Sequence, residues 1–384
     1  MLVPMRAILE AADKYGYAQG AFNVNAVCQI KAAIDIHNIL RSPAILQGAE
    51  LANGFMGGRT DFLKSDIHDK RAGAKNIADA VKKYGQDLAI PIALHLDHGR
   101  DLESCKAVID GGYTSVMIDG SALPYDENVE LTREVVKYAH ERGVTVEGEL
   151  GVLAGTEDHV SFAESTYTNP LDAIDFFKKT GVDALAISYG TMHGANKGTN
   201  PAIRKQIAIA IKECMRYEKI EGYLVSHGSS IVPTYIVDEL NAIGAQIANA
   251  KGIDVLQLVD VAKNGINKIN VDTDIRLAVT RNLRELFKRN PRLQNSPSVG
   301  AIYELMQSQP AVFDPRAYIT PIMSTVMYGE VKDEDVRLVC DAMELGVKEI
   351  LGTLIVQFGS YGKAPKVNIC TLDEMAERYK KQGI

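Results

Sequence analysis

The sequence predicts a (β/α)8 TIM barrel with extra C-terminal helices. Eight short apolar segments alternate with segments of helical spacing. The apolar segments are mostly unalternated, as expected for parallel strands that are covered on both faces. Eight such units is the number that closes a barrel. A doubly wound sheet is the competing fold, but it would carry a Gly-rich fingerprint after its first strand, and residues 18–26 contain none.

The elements follow one another in a regular order along the chain. The predicted strands are 18–24, 42–47, 88–96, 115–118, 144–151, 184–189, 223–226 and 268–271. The predicted helices are 2–14, 26–40, 69–84, 102–110, 128–142, 170–180, 202–216, 231–243, 254–264 and 274–289. Beyond residue 290 the alternation ends, although 299–307, 334–354 and the end of the charged tail 363–384 have helical spacing. We therefore predict one domain over residues 1–384, with 290–384 as a C-terminal helical extension.

The composition narrows the class of protein. Of the 384 residues, 46% are hydrophobic and 24% charged, which is typical of a globular protein. The net charge of -7 and the absence of a Lys/Arg run argue against a nucleic-acid partner. No stretch reaches the ~20 apolar residues of a membrane span, and no signal peptide is evident. Five cysteines without a Cys-x-x-Cys pair indicate reduced thiols, a cytoplasmic location and no thiolate zinc site.

Almost every predicted strand ends in a residue that can bind or react. In a barrel the carboxyl ends of the strands converge on one face, so these residues would share a pocket. They are Asn23, Asn25, Gln47, Asp97, His98, Asp119, Glu147, Glu149, His193, His227, Asn270 and Asp272. A plain strand whose polar end meets water is the alternative for any one of them.

Three histidines stand out among the eight in the chain. His98, His193 and His227 each follow an apolar strand and each precedes a glycine, which lets a backbone approach a ligand closely. Three histidines at strand ends suit a zinc ion that keeps an open position for substrate. His95 precedes Asp97 on the same strand face, where we expect a packing or orienting role. His37 and His140 are expected to be ordinary helix residues, and His68 and His159 lie in polar loops.

Two loops have the composition of a phosphate site. Residues 228–230 and 270–273 would follow the seventh and eighth strands, where barrels often bind phosphate through backbone N–H groups. Gly194 and Lys197 could add an N–H group and a cation. Ordinary Gly/Ser turns are the alternative reading of both loops.

Carboxylates complete the candidate site. Glu147 and Glu149 alternate along a strand and so share a face. Glu157 lies in a Gly-containing loop, residues 154–158, that could fold over the site. Alternatively, a buried carboxylate here would orient a histidine, and Glu157 would be a solvated loop charge.

Taken together, seven motifs resemble the class II, metal-dependent fructose-bisphosphate aldolases from about Val3 to Tyr361. Their order along the chain makes the resemblance specific, whereas any single motif would be weak. The motifs are AFNVN (21–25), HLDHG (95–99), VMIDGS (116–121), VEGELG (146–151), HGANK (193–197), SHGSS (226–230) and NVDTD (270–274).

The resemblance implies a role for each site residue. Asp97 matches the acid that protonates the aldehyde oxygen during condensation, and Glu157 matches the carboxylate that exchanges the C–H proton of dihydroxyacetone phosphate. The matching zinc ligands are His98, His193 and His227, with Asp119 and Glu149 matching residues that hold a second or displaced metal. The matching substrate-binding residues, together with neighbours in the same motifs, are Asn23, Gly194, Lys197, Gly228, Ser229, Ser230, Asn270, Asp272, Thr273 and Arg276.

Cofactors and partners follow from the same resemblance. It implies Zn²⁺, a monovalent cation (K⁺ or Na⁺) near the backbone of Gly194 and Ser230, and sugar phosphates as substrates. Arg276 matches a side chain that reaches the distal phosphate from a neighbouring subunit, so we expect a homodimer or homotetramer. The implied reaction is the reversible cleavage of fructose 1,6-bisphosphate in glycolysis and gluconeogenesis.

One motif departs from the family pattern. Ala49 replaces the serine that family members usually carry two residues after Gln47, and Glu50 adds a negative charge nearby. The dihydroxyacetone phosphate half is therefore expected to be intact and the aldehyde half altered. Tagatose or sedoheptulose bisphosphate is an alternative substrate.

Two further alternatives remain from the sequence. A zinc barrel hydrolase would need a metal-binding His pair on the first strand, and residues 18–24 contain no histidine. A non-catalytic barrel that binds sugar phosphates would have lost its ligands, yet all three histidines and Asp97 are present.

Overall fold

Eight parallel strands close into a barrel in a computed structural model that describes residues 1–157, 160–162, 165–197 and 203–383, with backbone alone for 156–157 and 160–162. The barrel strands are β1 (Gln19–Asn23), β2 (Ala44–Ala49), β3 (Ile92–Gly99), β4 (Ser115–Ile118), β5 (Thr145–Leu150), β8 (Ala184–Ile187), β9 (Tyr223–Ser226) and β10 (Ile266–Val271). They pair in this order and β10 pairs with β1. A hairpin of β6 (Gly155–Glu157) and β7 (Val160–Phe162) stands apart. The barrel prediction is confirmed and the doubly wound alternative is excluded.

Helices surround the barrel and extend beyond it. They are α1 (Met5–Tyr15), α2 (Val27–Ile39), α3 (Glu50–Met56), α4 (Ile67–Gly85), α5 (Leu102–Gly111), α6 (Tyr125–His140), α7 (Pro170–Thr180), α8 (Lys205–Glu218), α9 (Thr234–Ala242), α10 (Val255–Lys263) and α11 (Thr273–Arg289). The chain continues with α12 (Gly300–Ser308), α13 (Met323–Tyr328), α14 (Glu334–Gln357) and α15 (Leu372–Gln382). In the part of the chain that the structure describes, no helix combines the length and apolarity that a bilayer crossing requires.

Two hydrophobic clusters form the core. The larger one lies between the strands and the surrounding helices. The smaller one joins α1 to inward residues of several strands, among them the small Ala21, Ala93, Ala184 and Ala186. Just before α1, Val3 N donates a hydrogen bond of 2.9 Å to Ile92 O at the start of β3. Helix α1 therefore closes the amino-terminal end of the barrel, and the opposite end is left for polar chemistry.

The predicted bounds differ from the structure in two places that matter. Helix α3 was not expected, because Asn53 and Gly54 disfavour helices. All seven of its residues are buried, so packing outweighs the low propensity. Strand β3 begins at Ile92, after Pro91, and runs on to Gly99, so it carries Asp97 and His98 within the sheet.

The C-terminal helices pack on the barrel at two positions. Helix α14 lies against α11 and α2, the helices that follow the last and the first strand. Helix α15 reaches the barrel through Tyr379, whose hydroxyl donates to Asp183 Oδ1 at 2.9 Å. The Tyr379 ring stacks on His140 with 3.6 Å between centroids. His140, which lies in α6 as expected, is therefore buried beneath α15.

Candidate active site

The carboxyl end of β3 carries two functional residues in succession. Neighbouring residues of a regular strand point to opposite faces. Here the pairing with β4 shifts by one residue between Leu96 and Gly99, which is a bulge. His98 takes a left-handed backbone conformation with φ of 50°. The bulge lets both Asp97 and His98 contact the same group of side chains.

Three amides orient Asp97. Asn23 Nδ2 donates to Asp97 Oδ2 and Asn270 Nδ2 donates to Oδ1, each at 2.9 Å. Gln47 Nε2 in turn donates to Asn23 Oδ1 at 2.8 Å. Asp97 is 2% exposed, so this network fixes the direction of its carboxylate. The strand ends that the sequence predicted to converge do meet here.

His98 and His227 face each other across the site. The Nε2 atom of His98 lies 2.9 Å from Nδ1 of His227, and the rings are nearly perpendicular. The other nitrogen of each ring is bonded to a carboxylate. His98 Nδ1 lies 3.0 Å from Asp119 Oδ2, and His227 Nε2 lies 2.8 Å from Glu147 Oε1. Each imidazole thus directs its remaining nitrogen towards the other.

His193 and Glu149 border this pair. The His193 ring centroid lies 5.5 Å from that of His98 and 6.4 Å from that of His227. Glu149 Oε2 lies 4.0 Å from His98 Nδ1 and 3.9 Å from His227 Nδ1. Ligand atoms of Asp119, Glu149 and His227 therefore lie within 4.0 Å of His98, and His193 borders this group with its ring. His193 is the most distant of the histidines, and it comes from a loop.

These residues fit a divalent metal ion. Ligand atoms of Asp97, His98 and His227 lie within 4.8 Å of one another, and so do those of His98, Asp119 and Glu149. A histidine that binds metal usually donates its second N–H to a carboxylate, which is the arrangement of His98 and His227. Burial lowers the pKa of His227, which favours the neutral imidazole that a metal needs.

A buried ion pair lies beneath the metal residues. Lys268 Nζ donates to Glu147 Oε2 at 2.9 Å, and its distance to His95 Nε2 is 3.4 Å. His95 Nδ1 lies 2.8 Å from Ser115 Oγ. Although burial raises the pKa of Glu147, the charge of Lys268 and the hydrogen bond from His227 hold it well below the usual range. The orienting role expected for His95 extends to Lys268, which the sequence reasoning missed.

A signal for Lys268 was present in the sequence. It lies in the middle of an apolar strand, β10, where a charged residue is rarely buried without a partner. Its position pointed to an acidic neighbour on another strand, and Glu147 is that neighbour.

Two glycines shape the loops after β8 and β9. Gly194 and Gly228 have φ of 82° and 60°, a backbone conformation that favours glycine. A side chain on Gly228 would collide with the backbone of Met192. The loops after β8 and β9 therefore pack directly on each other.

The polar side chains of these loops have mixed roles. Ser229 Oγ lies 2.6 Å from Ser226 Oγ and also donates to His227 O. Its hydroxyl therefore stabilises the turn after β9. Lys197 is buried, and its ammonium donates to Met192 O. Ser230 is 5% exposed. The Ser229 hydroxyl and the Lys197 ammonium are thus held by other groups of the loops.

The α11 end of the site is charged. Helix α11 starts at Thr273, directly after Asp272, so its N-terminal N–H groups open towards the strand ends. Arg276 Nε donates to Asp272 Oδ1 at 2.9 Å, and its Nη1 lies 3.2 Å from Asp314 Oδ2. Arg276 is therefore held at the rim by two carboxylates. The backbone of Glu157 belongs to β6, but its side chain lies outside the described residues.

Ala49 and Glu50, the two residues that depart from the pattern described above, lie at the end of β2 and the start of α3. Ala49 is the register partner of Asp97. Glu50 is buried, forms a 2.5 Å ion pair with Lys70 and accepts a hydrogen bond from Arg100 N at 2.9 Å. Its negative charge is thus compensated by protein groups.

Comparisons with known proteins converge on one family. A family model described as fructose-bisphosphate aldolase class-II matches residues 3–363. A fructose-bisphosphate aldolase of Treponema pallidum is 40% identical over 333 residues, which cover 83% of this chain and 91% of that protein. One of Giardia intestinalis is 36% identical over 380 residues, 99% of each chain. The crystal structure of a fructose-bisphosphate aldolase from Campylobacter jejuni superposes with a TM-score of 0.68 at 19% identity, over 94% of this chain and 96% of that one.

Proposed function

The chain belongs to the class II fructose-bisphosphate aldolase family, and from this premise we propose that it cleaves fructose 1,6-bisphosphate reversibly to dihydroxyacetone phosphate and glyceraldehyde 3-phosphate, in glycolysis and gluconeogenesis. The observation that carries the proposal is the placement of Asp97 beside the facing imidazoles of His98 and His227. An aldol cleavage needs an electrophile at a carbonyl and a base at a hydroxyl, and this cluster offers both.

The metal in this proposal is zinc. His98, His193 and His227 would hold it, and Asp119 and Glu149 would bind a second or displaced ion, which the closeness of the ligand atoms of His98, Asp119 and Glu149 supports. When bound, the ion supplies a Lewis acid that polarises the ketone of the substrate. The carboxylates at His98 Nδ1 and His227 Nε2 keep both rings turned towards it. A monovalent cation, K⁺ or Na⁺, near the backbone of Gly194 and Ser230 belongs to the same proposal.

Asp97 carries the proton in our proposal. During cleavage its carboxylate takes the proton of the substrate hydroxyl, and during condensation it returns that proton to the aldehyde oxygen. The amides of Asn23 and Asn270 fix both carboxylate oxygens, so the base is oriented before substrate arrives. General acid–base help of this kind is typically worth ~10²–10⁴-fold. The exchange of the C–H proton of dihydroxyacetone phosphate is assigned to Glu157.

The phosphate of dihydroxyacetone phosphate would bind between the two glycine loops and the start of α11. Gly194, Gly228, Ser230, Asn270 and Thr273 form this set, with Lys197 and Ser229 supporting the loops. Helix α11 is 17 residues long, and its N-terminus carries a partial positive charge that favours phosphate binding. Asp272 would contact the carbon chain, and Arg276 the distal phosphate.

Another ketose bisphosphate is the second candidate substrate. Its support is Ala49, the partner of Asp97 across β2 and β3, at a position where family members usually carry a serine. Tagatose and sedoheptulose bisphosphates differ from the fructose compound in the aldehyde half, which is the half that this position borders.

The assembly and location belong to the same proposal. An Arg276 that serves a neighbouring subunit implies a homodimer or homotetramer. Free thiols at all five cysteines suit the cytoplasm.

The test combines metal removal with a substrate panel. We expect exhaustive chelation with EDTA to abolish cleavage, and zinc to restore it more completely than magnesium. Full activity after chelation would refute the metal site. Comparing kcat/KM for fructose, tagatose and sedoheptulose bisphosphates and fructose 1-phosphate then identifies the preferred ketose. A clear preference for a compound other than fructose 1,6-bisphosphate would favour the second candidate.

A further inference from the structure

Asp274 lies in the first turn of α11, and its carboxylate binds the backbone of the turn after β9, residues 227–232. Its Oδ2 atom accepts a hydrogen bond from Ile231 N at 2.9 Å, and its Oδ1 atom accepts one from Val232 N at 2.7 Å. The Asp274 side chain is fully buried. One carboxylate of α11 therefore fixes two successive N–H groups of another segment.

The segment that Asp274 holds has an unfavourable backbone conformation. Val232 has φ of 46°, in the left-handed region that a β-branched residue rarely adopts. Such a conformation persists only where the surrounding structure enforces it. Here the carboxylate binds the N–H group of Val232 itself, and Ile253 N donates to Ser230 O at 3.1 Å. The turn after β9 is therefore kept in a strained shape by contacts from outside it.

Keeping this carboxylate buried costs free energy. Burial raises the pKa of Asp274 to about 6, although the N–H groups of Ile231 and Val232 and the charge of Lys197 act in the opposite direction. Lys197 belongs to the loop after β8, where its ammonium donates to Met192 O. The carboxylate therefore interacts with three segments of the chain, which are the loop after β8, the turn after β9 and the start of its own helix.

The same three segments carry the phosphate site proposed above. Gly194 belongs to the first of them, Gly228 and Ser230 to the second, and Thr273 to the third. We propose that Asp274 is a positioning residue, which holds the turn after β9 against the start of α11 so that N–H groups of both face one phosphate, a role that rests on the phosphate site of the proposed function. Because Asp274 is fully buried and its oxygens already accept two N–H groups, it acts through the turn and does not touch the substrate.

Asp274→Asn removes this restraint with little change of volume. The amide nitrogen of asparagine is a donor, and it would face a backbone N–H group that is also a donor. One of the two hydrogen bonds is then lost, and Val232 can leave its left-handed conformation. We expect KM for fructose 1,6-bisphosphate to rise by about 10-fold or more. The value of kcat should change much less, because Asp97 and the proposed metal ligands are unaltered.

Ile231→Pro breaks the same contact from the other side. Proline has no N–H group, so Oδ2 of Asp274 loses its donor while the carboxylate stays in place. We expect KM to rise in this variant too. The double variant should be little worse than either single one, because both substitutions remove one interaction. Ile231→Pro therefore tests the contact even where Asp274→Asn fails to fold.

Asp183→Asn is the matched control. Asp183 is also buried and also accepts a backbone hydrogen bond, from Val146 N at 2.8 Å. It lies against Arg6 of α1 and Tyr379 of α15, away from the phosphate loops. We expect this variant to lose stability and to keep the KM of the parent. Melting temperature and zinc content, measured for every variant, separate a general loss of stability from a loss of positioning.

Hydrogen–deuterium exchange with inorganic phosphate probes the site without the reaction. In the full-length, metal-loaded protein, phosphate should slow exchange in the peptides that cover residues 227–232 and in those that cover residues 273–276. Asp274→Asn should need about 10-fold more phosphate for half of that protection. Asp183→Asn should need the same concentration as the parent.

The two measurements distinguish the role of Asp274 from the proposed reaction. A parent protein that binds phosphate in this way but cleaves no bisphosphate would refute the aldolase reaction and leave the role of Asp274 standing. Cleavage with the same KM and phosphate dependence in parent and Asp274→Asn would overturn that role and leave the reaction. An absence of phosphate protection in the parent, or an equal rise of KM in Asp183→Asn, would also overturn it.

Discussion

Lys268 Nζ donates to Glu147 Oε2 at 2.9 Å, and neither side chain is exposed to solvent. The other oxygen of Glu147 accepts from His227 Nε2 at 2.8 Å. A buried charge pair deep in the barrel therefore sets the direction of an imidazole at its mouth. Residues beneath the candidate site thus help to set the geometry of the proposed metal ligands.

Replacing Lys268 with methionine should damage both stability and metal binding. The substitution keeps the volume but leaves the Glu147 charge buried without its partner, which typically costs about 3–5 kcal/mol. His227 loses a fixed hydrogen-bond acceptor, and zinc affinity should fall by about 10–100-fold. Urea unfolding and zinc competition with a chromogenic chelator measure the two effects.

Lys212→Met is the matched control for this variant. Lys212 also pairs with a carboxylate, Asp13 at 2.6 Å, but Asp13 is 48% exposed and the pair is remote from the site. We expect a loss of about 1 kcal/mol or less and unchanged zinc affinity. Equal effects of the two substitutions would contradict the orienting role of Lys268.

Substitutions at Asp97 and at His98 should distinguish catalysis from metal binding. We expect Asp97→Ala to retain zinc and lose ~10²–10⁴-fold in kcat, because the proton carrier is absent. His98→Ala should lose both zinc and activity. Metal content by mass spectrometry and steady-state kinetics decide between these outcomes. Equal metal loss in the two variants would make Asp97 a ligand.

Asp183 should make the fold sensitive to acid. Burial alone would raise the pKa of this carboxyl, but His140 and Arg6, with a hydrogen bond from Val146 N, lower it below the ordinary value of 3.8. A carboxyl with a depressed pKa binds fewer protons in the folded than in the unfolded state. Its stabilisation is therefore complete above about pH 5 and is lost as the pH falls through 4 and below.

Asp183→Asn tests that statement. We expect its free energy of unfolding to be lower than that of the parent at pH 7 and the gap to narrow as the pH falls below the ordinary carboxyl pKa of 3.8. Urea unfolding across this range measures the difference. A constant gap at all pH values would assign the loss to packing and not to charge.

The hydrogen bond from Tyr379 that holds α15 on the barrel gives a separate prediction. Tyr379→Phe keeps the stacking on His140 and removes the hydroxyl that donates to Asp183. A hydrogen bond to a charged acceptor is worth about 1.5–3 kcal/mol, so we expect a loss in that range. Tyr361→Phe, at a residue that is 60% exposed, should change stability by less than about 0.5 kcal/mol. Thermal or urea unfolding of both variants checks this.

The sequence predicted the parts of the fold that depend on local pattern. Apolar runs of strand length and their polar ends were recognisable, and convergence of Asp97, His98, His227 and Asn270 followed from barrel topology alone. Helix α3 was not recognisable, because burial between α4 and the barrel outweighs the poor helix propensity of Asn53 and Gly54.

Contacts between distant strands were beyond the sequence. That Glu147 would pair with Lys268, or that Asn23 and Asn270 would share Asp97, depends on which strands close the barrel and in which register. The bulge in β3 is another such feature, since it arises from the pairing with β4 and not from the residues of β3 themselves.

The left-handed backbone of His98 has a consequence for how this position would change under selection. A non-glycine residue in that conformation costs about 1–3 kcal/mol, which glycine or asparagine would largely recover. A laboratory screen for heat resistance alone would therefore enrich glycine or asparagine at position 98 and return an inactive protein. A screen that also demands turnover would keep histidine and place its stabilising changes elsewhere, so the residues on which the two screens disagree would mark the positions where function opposes stability.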